Sequence, residues 1–310
     1  MKLHYKTYRS YLRARFGRPI LRIPVNAGFD CPNRDGTISR RGCTFCDNAT
    51  FSPVATVETP GVEQLRAAIS LASPRYELFI AYLQPYSNTY APVKRLRQVY
   101  EPLLGITGVV GLAVGTRPDC VPKDVCDYLA EVAKRTYLCV ELGLQSTDDR
   151  VLAACGRGHT FADFVEAVKR LAERGIEIVA HLMVGLPGQT AAQVLRMAEQ
   201  LSTMPVAGVK LHQLMVVRGT PMERLYEEGG VVAPALEEYV ELVGEFIARL
   251  RPDQHIHRVS AQSTKERGLI APEWSVEKSR VVEALNAFME RAGIMQGSRL
   301  CSESIHTHKQ

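Results

Sequence analysis

A chain of 310 residues with 46% apolar and 23% charged side chains has the composition of a globular protein with a sizeable core, which excludes disorder of the whole chain. There is no run of 18 consecutive apolar residues, and the opening MKLHYKTYRSYLRARFGR has neither an apolar h-region nor a small-residue cleavage site, so no membrane span is expected and a cytoplasmic location is. The net charge is only +5, and eight cysteines in such a chain point to metal or redox chemistry rather than to a disulfide framework.

The first segment is the most lopsided in charge. Residues 1–29 hold Lys2, Lys6, Arg9, Arg13, Arg15, Arg18 and Arg22 and no acid, with Tyr5, Tyr8, Tyr11 and Phe16 between them. Such a segment suits a phosphate backbone with stacking bases, and it equally suits a solvated amphipathic helix. ILRIPVNAG (20–28) reads as a first strand. Next comes CPNRDGTISRRGCTFC (31–46), with Cys31, Cys43 and Cys46.

From about residue 60 helices and strands alternate. The helical readings are VEQLRAAISLA (62–72), PVKRLRQVYEPLL (92–104), KDVCDYLAEVAKR (123–135), FADFVEAVKRLAERG (161–175) and AAQVLRMAEQLS (191–202). The strands that follow them are ELFIAYLQ (77–84), GVVGLAVG (108–115), TYLCVELGLQ (136–145), IEIVAHLMVG (176–185) and GVKLHQLMVV (208–217). Strands this continuously apolar imply a parallel sheet covered on both faces, closed as a barrel or open and doubly wound. Thr190 with Gln193, and Ser146 with Asp149, have capping-box spacing, and Pro92 and Pro122 sit where a first helical turn accepts proline. The count is six β-α units, fewer than a full eightfold barrel. The last third is less regular: a helical run (235–250), a possible strand HIHRVS (255–260) and a second helical run (276–293).

Polar, glycine-rich clusters follow the strands in turn: the cysteines, QPYSNTYAP (84–92), GTRPDC (115–120), ELGLQS (141–146) with GRGHT (156–160), GLPGQT (185–190) and KLHQL (210–214). In a parallel α/β layout these ends share one face, and that face holds the active site. The pattern alone says enzyme.

Cys43 and Cys46 form a C-x2-C pair, and eleven residues separate Cys31 from Cys43. A structural zinc asks for four ligands, and the next cysteine is Cys120. A four-iron cluster held by three thiolates leaves one iron open. On spacing alone zinc and iron–sulfur stay level, with coincidence a third reading. Cys120, Cys126, Cys139, Cys155 and Cys301 read as small buried or surface residues.

GFDCPNRDGTISRRGCTFC, with Phe45 before the last cysteine, resembles the cluster loop of radical SAM enzymes, and specifically of the YhcC/YtqA-like group akin to the catalytic subunit of Elongator. The long first interval departs from the general motif and suits this group. YSNTYAP, TRPDC, ELGLQS, RGHT, HLMVGLPGQT, KLHQL and IAPEWS (270–275) extend the resemblance over nearly the whole chain. It implies an α/β fold, a partial (β/α)6 TIM-like barrel with short N- and C-terminal extensions. The divisions would be a basic N-terminal extension (1–22), the barrel (23–230) and a mixed helical extension packed on it (231–310).

The resemblance also implies one 4Fe-4S cluster on Cys31, Cys43 and Cys46, with S-adenosylmethionine (SAM) on the open iron and cleaved by one electron to a 5′-deoxyadenosyl radical. Ser87 and Asn88 would meet the methionine amino group. Glu141 and Gln145 would meet the ribose or that amino group, and Arg157 the carboxylate. Gly185 and Gly188 would touch the adenosyl group, though His181 and Met183 depart from the first half of that glycine motif. Val216 would line the adenine site. Duller roles stand beside these: a strand-end ion pair for Glu141, a helix cap for Arg157, a tight turn for the glycines, a barrel-interior histidine for His212. An electron donor such as flavodoxin or ferredoxin is implied. So is tRNA, modified on the wobble-uridine side chain and lying across the barrel mouth against the basic N-terminus and Arg34, Arg40 and Arg41. A small metabolite is the alternative substrate. A zinc-stabilised nucleic-acid binding module is the third reading, and the ring of strand-end clusters argues against it.

Overall fold

Each apolar run between helices becomes a strand buried on both faces. Phe79, Ala81 and Leu83 turn outward into the core under the helices, while Ile80 and Tyr82 turn inward, which is the period of two that a pleated strand imposes. The structure, a computed structural model, describes residues 3–300, so Lys2 and Cys301 lie outside the described residues.

The strands are β1 (Ile20–Val25), β2 (Leu78–Leu83), β3 (Val109–Thr116), β4 (Tyr137–Gln145), β5 (Glu177–Val184) and β6 (Gly208–Gln213), each paired in parallel with its predecessor. A two-residue β7 (Val216–Val217) leaves this sheet to pair antiparallel with β9 (Leu269–Ala271). Between them β8 (His255–Arg258) joins β6 in parallel as a seventh strand. The partial barrel thus carries one strand more than the six counted from the sequence. The extra strand comes from 231–310, so that stretch completes the sheet as well as packing on it.

The sheet is curled. Laid flat, the six spacings from β1 to β8 would span roughly 29 Å at about 4.8 Å each. Yet Arg22 Nη1 on β1 stands 3.2 Å from His257 Nδ1 on β8. Only a rolled sheet brings those edges together, which decides between the barrel and the open alternative.

The helices are α1 (Tyr8–Phe16), α2 (Asn48–Phe51), α3 (Gly61–Ala72), α4 (Val93–Leu104), α5 (Lys123–Ala133), α6 (Asp149–Ala154), α7 (Phe161–Ala172), α8 (Ala191–Ser202), α9 (Pro221–Glu227), α10 (Leu236–Ala248) and α11 (Lys278–Arg291). Leu96, Tyr100, Leu129, Phe164, Met197, Phe246 and Leu285 from these helices share one core with the outward strand residues. The Thr190–Gln193 capping box forms, with Thr190 accepting from Gln193 N. The Ser146–Asp149 box does not. Asp148 caps α6 instead, accepting from Arg150 N, because Ser146 Oγ is turned to accept from Asp148 N.

Helix α1 plugs the N-terminal end of the barrel. The hydroxyl of Tyr8 lies 3.1 Å from that of Tyr137, the first residue of β4. Tyr11 and Tyr137 both donate to Glu177, the first residue of β5. Tyr8 also stacks on His257 at 3.7 Å between ring centroids. This corrects the expectation that the basic N-terminus stands at the mouth to meet tRNA lying across it. Of its cations, Arg22 is drawn into the barrel, Arg18 pairs with Glu77, and Arg15 lies over Tyr137. Arg9 and Arg13 are exposed, on a helix at the end opposite the cysteines.

Candidate active site

The loop after β1 is folded by its own polar groups. Cys31 O accepts from Arg34 N at 2.8 Å, Asn33 O accepts from Gly42 N at 2.8 Å, and Cys43 O accepts from Cys46 N at 3.0 Å. Asn33 Nδ2 ties the loop to Gly156 O at 2.7 Å, and Thr44 N ties it to Cys155 O at 3.0 Å. These bonds put Cys31, Cys43 and Cys46 on the wall of one cavity at the C-terminal ends of the strands. The cavity has a volume of about 1140 Å³ counted to its open mouth. All three thiols are free, and among the described residues no three His, Cys, Asp or Glu gather at single-metal-ion spacing. Burial, and next the neighbouring Cys43, push the Cys46 thiol up to about 12, against the pull of Arg34 and Arg157. Arg34, Arg40 and Arg41 are exposed on the same loop.

Of the residues expected at the site, Ser87, Glu141, Gln145 and Arg157 line this cavity with the cysteines. Arg157 is buried, with Nη1 3.2 Å from Cys43 Sγ and Nη2 2.5 Å from Gly143 O. Its Nε donates to His159 Nε2 at 3.2 Å. Burial, then Arg157 and Arg117, lower His159 to about 3, so its ring is a neutral acceptor. Asn33 Nδ2 is a second donor to Cys43 Sγ, at 3.3 Å. Gly143 is required between these groups. A Cβ there would meet Gln145 Nε2 at 3.2 Å, Arg157 Nη2 at 3.3 Å and Thr116 O at 3.4 Å.

Two further features mark the same place. Tyr86 (φ 64°) and Gln145 (φ 74°) are the described non-glycine residues with positive φ, and both line the cavity. Such conformations cost of order 1–3 kcal/mol and collect at functional sites. Gln145 Oε1 and Arg117 Nη1 are also buried without a hydrogen-bond partner, although the rest of the Arg117 fork is seated on Asp119 at 2.8 and 2.9 Å. Unpartnered buried polar atoms facing a cavity call for a polar ligand.

Other expected residues lie elsewhere. Asn88 is fully buried behind the wall, its amide donating to Leu83 O, Pro85 O and Gly115 O at 2.9–3.0 Å. Gly185 shapes a separate groove beside Pro234 and Tyr239, and Gly188 makes a turn at φ 72°. Val216 is buried in an apolar cluster with Phe45 and Ala271, and is not among the residues that line the cavity. Glu141 lines the cavity but is engaged. Oε1 meets Arg22 at 2.7 Å and His257 at 3.3 Å; Oε2 meets Lys210 at 2.7 Å and Tyr82 OH at 2.8 Å. Four partners fill the acceptor sites of a carboxylate, so its role is the ion pair.

That network belongs to a polar layer inside the barrel that the sequence pattern did not single out, apart from His212. Tyr82, His181, Lys210, His212 and Arg258 all line the cavity below its mouth. The signal was available in the period of two: Tyr82 with Gln84, Glu141 with Gly143 and Gln145, His181 with Met183, and Lys210 with His212 are alternate residues that share one face of a strand.

The family description for the Radical SAM superfamily matches residues 35–201, just over half of the chain, and that for the Radical_SAM C-terminal domain matches residues 206–291. This chain belongs to the radical SAM superfamily. It is 38% identical over 296 residues to the protein YtqA of Bacillus subtilis (strain 168), covering 94% of this chain and 92% of YtqA. It is 28% identical over 203 residues to a tRNA uridine(34) acetyltransferase of Methanocaldococcus infernus, covering 64% of this chain and 36% of that protein. Among solved structures, archaeal Methanocaldococcus infernus Elp3 with an N-terminal deletion superposes with a TM-score of 0.66 at 17% identity, over 89% of this chain and 64% of that one, which establishes the shared partial barrel. The protein is therefore a radical SAM enzyme, and the family implies use of SAM and an iron–sulfur cluster. The donor set of the cysteine-walled cavity fits such a group: three thiols, with a guanidinium and an amide aimed at the sulfur of Cys43.

Proposed function

We propose that Cys31, Cys43 and Cys46 hold one 4Fe-4S cluster, that the adjoining cavity binds SAM, and that the enzyme modifies tRNA. The observation that carries this reading is the convergence of three free thiols, two strained backbones and two unpartnered buried polar atoms on one cavity. A 4Fe-4S cluster with an open iron supplies one-electron cleavage of SAM to a 5′-deoxyadenosyl radical.

The chain supplies the rest. Arg157 and Asn33 hold Cys43 by charge-assisted and amide hydrogen bonds to sulfur. Gln145 Oε1 offers an acceptor to the amino or ribose group of SAM, and Ser87 a hydroxyl beside it. Arg117 Nη1 offers a donor to the carboxylate, while Arg157 is taken up by Cys43, Gly143 and His159. The wall of strands excludes water from the reacting atoms. The electron comes from a small donor such as flavodoxin or ferredoxin, in the reducing cytoplasm where free thiols persist. Support for tRNA comes from the exposed Arg34, Arg40 and Arg41 on the cysteine loop, the first of which lines the cavity, and from the relative whose name specifies tRNA uridine(34).

Anaerobic reconstitution followed by iron, sulfide and zinc analysis, with SAM cleavage under dithionite, tests the reading. Wild-type protein should bind iron and sulfide and cleave SAM. Cys43→Ala should lose cleavage entirely, and Cys126→Ala, whose thiol donates to Val121 O away from the cavity, should keep it. Undiminished cleavage by Cys43→Ala would overturn it.

A further inference from the structure

The inner part of the same cavity has a charge that the chain does not balance. Glu141 is the one carboxylate in the described lining, against Arg34, Arg117, Arg157, Lys210 and Arg258. Arg117 is forked on Asp119, Lys210 is paired with Glu141, and Arg157 is spent on Cys43 Sγ, Gly143 O and His159. Arg34 is exposed at the rim. Arg258 is different. It is half-buried on β8, deep in the cavity, and among the described residues no carboxylate lies within ion-pair reach of it. Its hydrogen-bonding neighbours are neutral, His181 Nε2 at 3.3 Å from Nη2 and Leu211 O at 3.4 Å from Nε, and Glu141 acts on it only from beyond ion-pair distance, against Arg22.

A guanidinium does not deprotonate, so a desolvated arginine is stabilised only by an anion or by a full set of acceptors. From the chain Arg258 has two acceptors and no directly paired anion, so its set is incomplete. The nearby histidines are polarised to match. His212 Nδ1 gives its hydrogen to Gln213 O at 2.5 Å, which leaves Nε2 as an acceptor. His181 accepts from Arg258 at Nε2, which leaves its Nδ1 hydrogen as a donor. Both rings are uncharged: burial, with Lys210 and Arg258 adding to it, lowers His181 well below its ordinary range, and burial, then Arg258, lowers His212 to about 3.

We propose that Arg258, with His181 and His212, forms an oxyanion-binding site for the carboxylate or phosphate of a second small ligand, distinct from SAM and held on the β5–β8 side of the cavity. The proposal rests on the reading of the cysteine end as the SAM site. The fork of Arg258 sets the register of the oxyanion, and His212 Nε2 selects a ligand that carries a hydroxyl or N–H donor next to it.

Calorimetric titration of anaerobically reconstituted protein tests this, at fixed ionic strength and both with and without SAM. The probes are sodium acetate, inorganic phosphate and the neutral isostere acetamide. At least one anion should bind in the SAM-loaded protein and acetamide should not; whichever anion binds identifies the class. Arg258→Gln should weaken that binding at least ten-fold, while the exposed control Arg224→Gln leaves it unchanged. Arg258→Lys, which keeps the charge without the fork, should retain part of it and serves if the glutamine variant does not fold. Equal binding of anion and acetamide, full binding by Arg258→Gln, or loss of anion binding on adding SAM would each overturn the proposal, the last by assigning Arg258 to SAM itself. Failure of the protein to bind SAM would sink the reading of the cysteine end and leave the anion titration intact as a separate result.

Discussion

At the N-terminal end of the barrel, Tyr8, Tyr11 and Tyr137 turn their hydroxyls on one another and on Glu177. At the C-terminal end, Gln145 and Arg117 leave buried polar atoms with no protein partner. Both ends are lined with aromatic and charged side chains, and both are covered by a segment that precedes or follows β1. The difference lies in what completes them. A segment of the chain itself, α1, completes the N-terminal end, so that end is structure. Nothing among the described residues completes the other, and strain at Tyr86 and Gln145 accumulates there. Polar side chains alone therefore do not distinguish a site from a plug, and neither do unpartnered atoms, which His255 and His257 beneath Tyr8 and Tyr11 also have; what distinguishes the site is an open cavity with strained backbone on its wall.

The comparison can be broken most forcefully at Glu141, which sits between the two ends. Glu141→Leu removes the partner of both Arg22 and Lys210, each of which pairs with it at 2.7 Å in the interior. Stranding buried charge in this way costs about 3–5 kcal/mol, so a large fall in thermal midpoint is expected by calorimetry. A fall no larger than that of a surface substitution would show that water reaches the layer freely, and the mouth would then extend to the plug.

Lys210 sharpens the boundary through pH. Burial outweighs the pull of Glu141 and lowers its pKa to about 7, against about 10.4 for an unfolded lysine. Between those values the unfolded chain binds the extra proton, so this group makes stability rise with pH, by at most about 1.4 kcal/mol per pH unit. Lys210→Met should flatten that rise between about pH 7 and 9, measured as the difference between the two denaturation midpoints at each pH. Parallel curves for the two proteins would place the lysine in water.

The smallest expected effect separates the arginines of the two ends. Replacing Arg34, Arg40 and Arg41 with glutamine should weaken tRNA binding and lower the salt slope, by up to about 0.9 for each phosphate no longer neutralised. Replacing Arg9 and Arg13, which are exposed on α1, should change neither. The reverse result would move the RNA to the plugged end.

Much of this was legible in the sequence. The apolar runs at 77–84, 136–145 and 176–185 became β2, β4 and β5, and the three cysteines share a cavity as their position after β1 requires. What escaped depended on residues far apart in the chain. Arg22 looked like one more member of a basic arm, because its partner Glu141 lies on a strand three places away in the sheet. HIHRVS gave a weak strand signal because His257 and Arg258 are polar, and they are polar because they face the interior layer rather than the apolar core. Ser146 had the right spacing for a cap and lost to Asp148, a contest decided by local backbone direction that spacing does not contain.

The N-terminal plug is latched by the far end of the chain: Lys6 N donates to Gln296 Oε1 at 2.8 Å, Gln296 N donates to His4 O at 3.0 Å, and Ile256 N donates to Lys6 O at 2.8 Å. On the ribosome α1 can meet Tyr137 and Glu177 as β4 and β5 emerge, but its backbone latch waits for β8 and then Gln296. Between the emergence of β6 and that of β8 the nascent barrel is a half-open trough with a free β6 edge reachable by water, chaperones and other chains. The plug is latched by Ile256 and Gln296, about 250 to 290 residues after the helix it holds, which makes closure of the interior a late event relative to formation of α1.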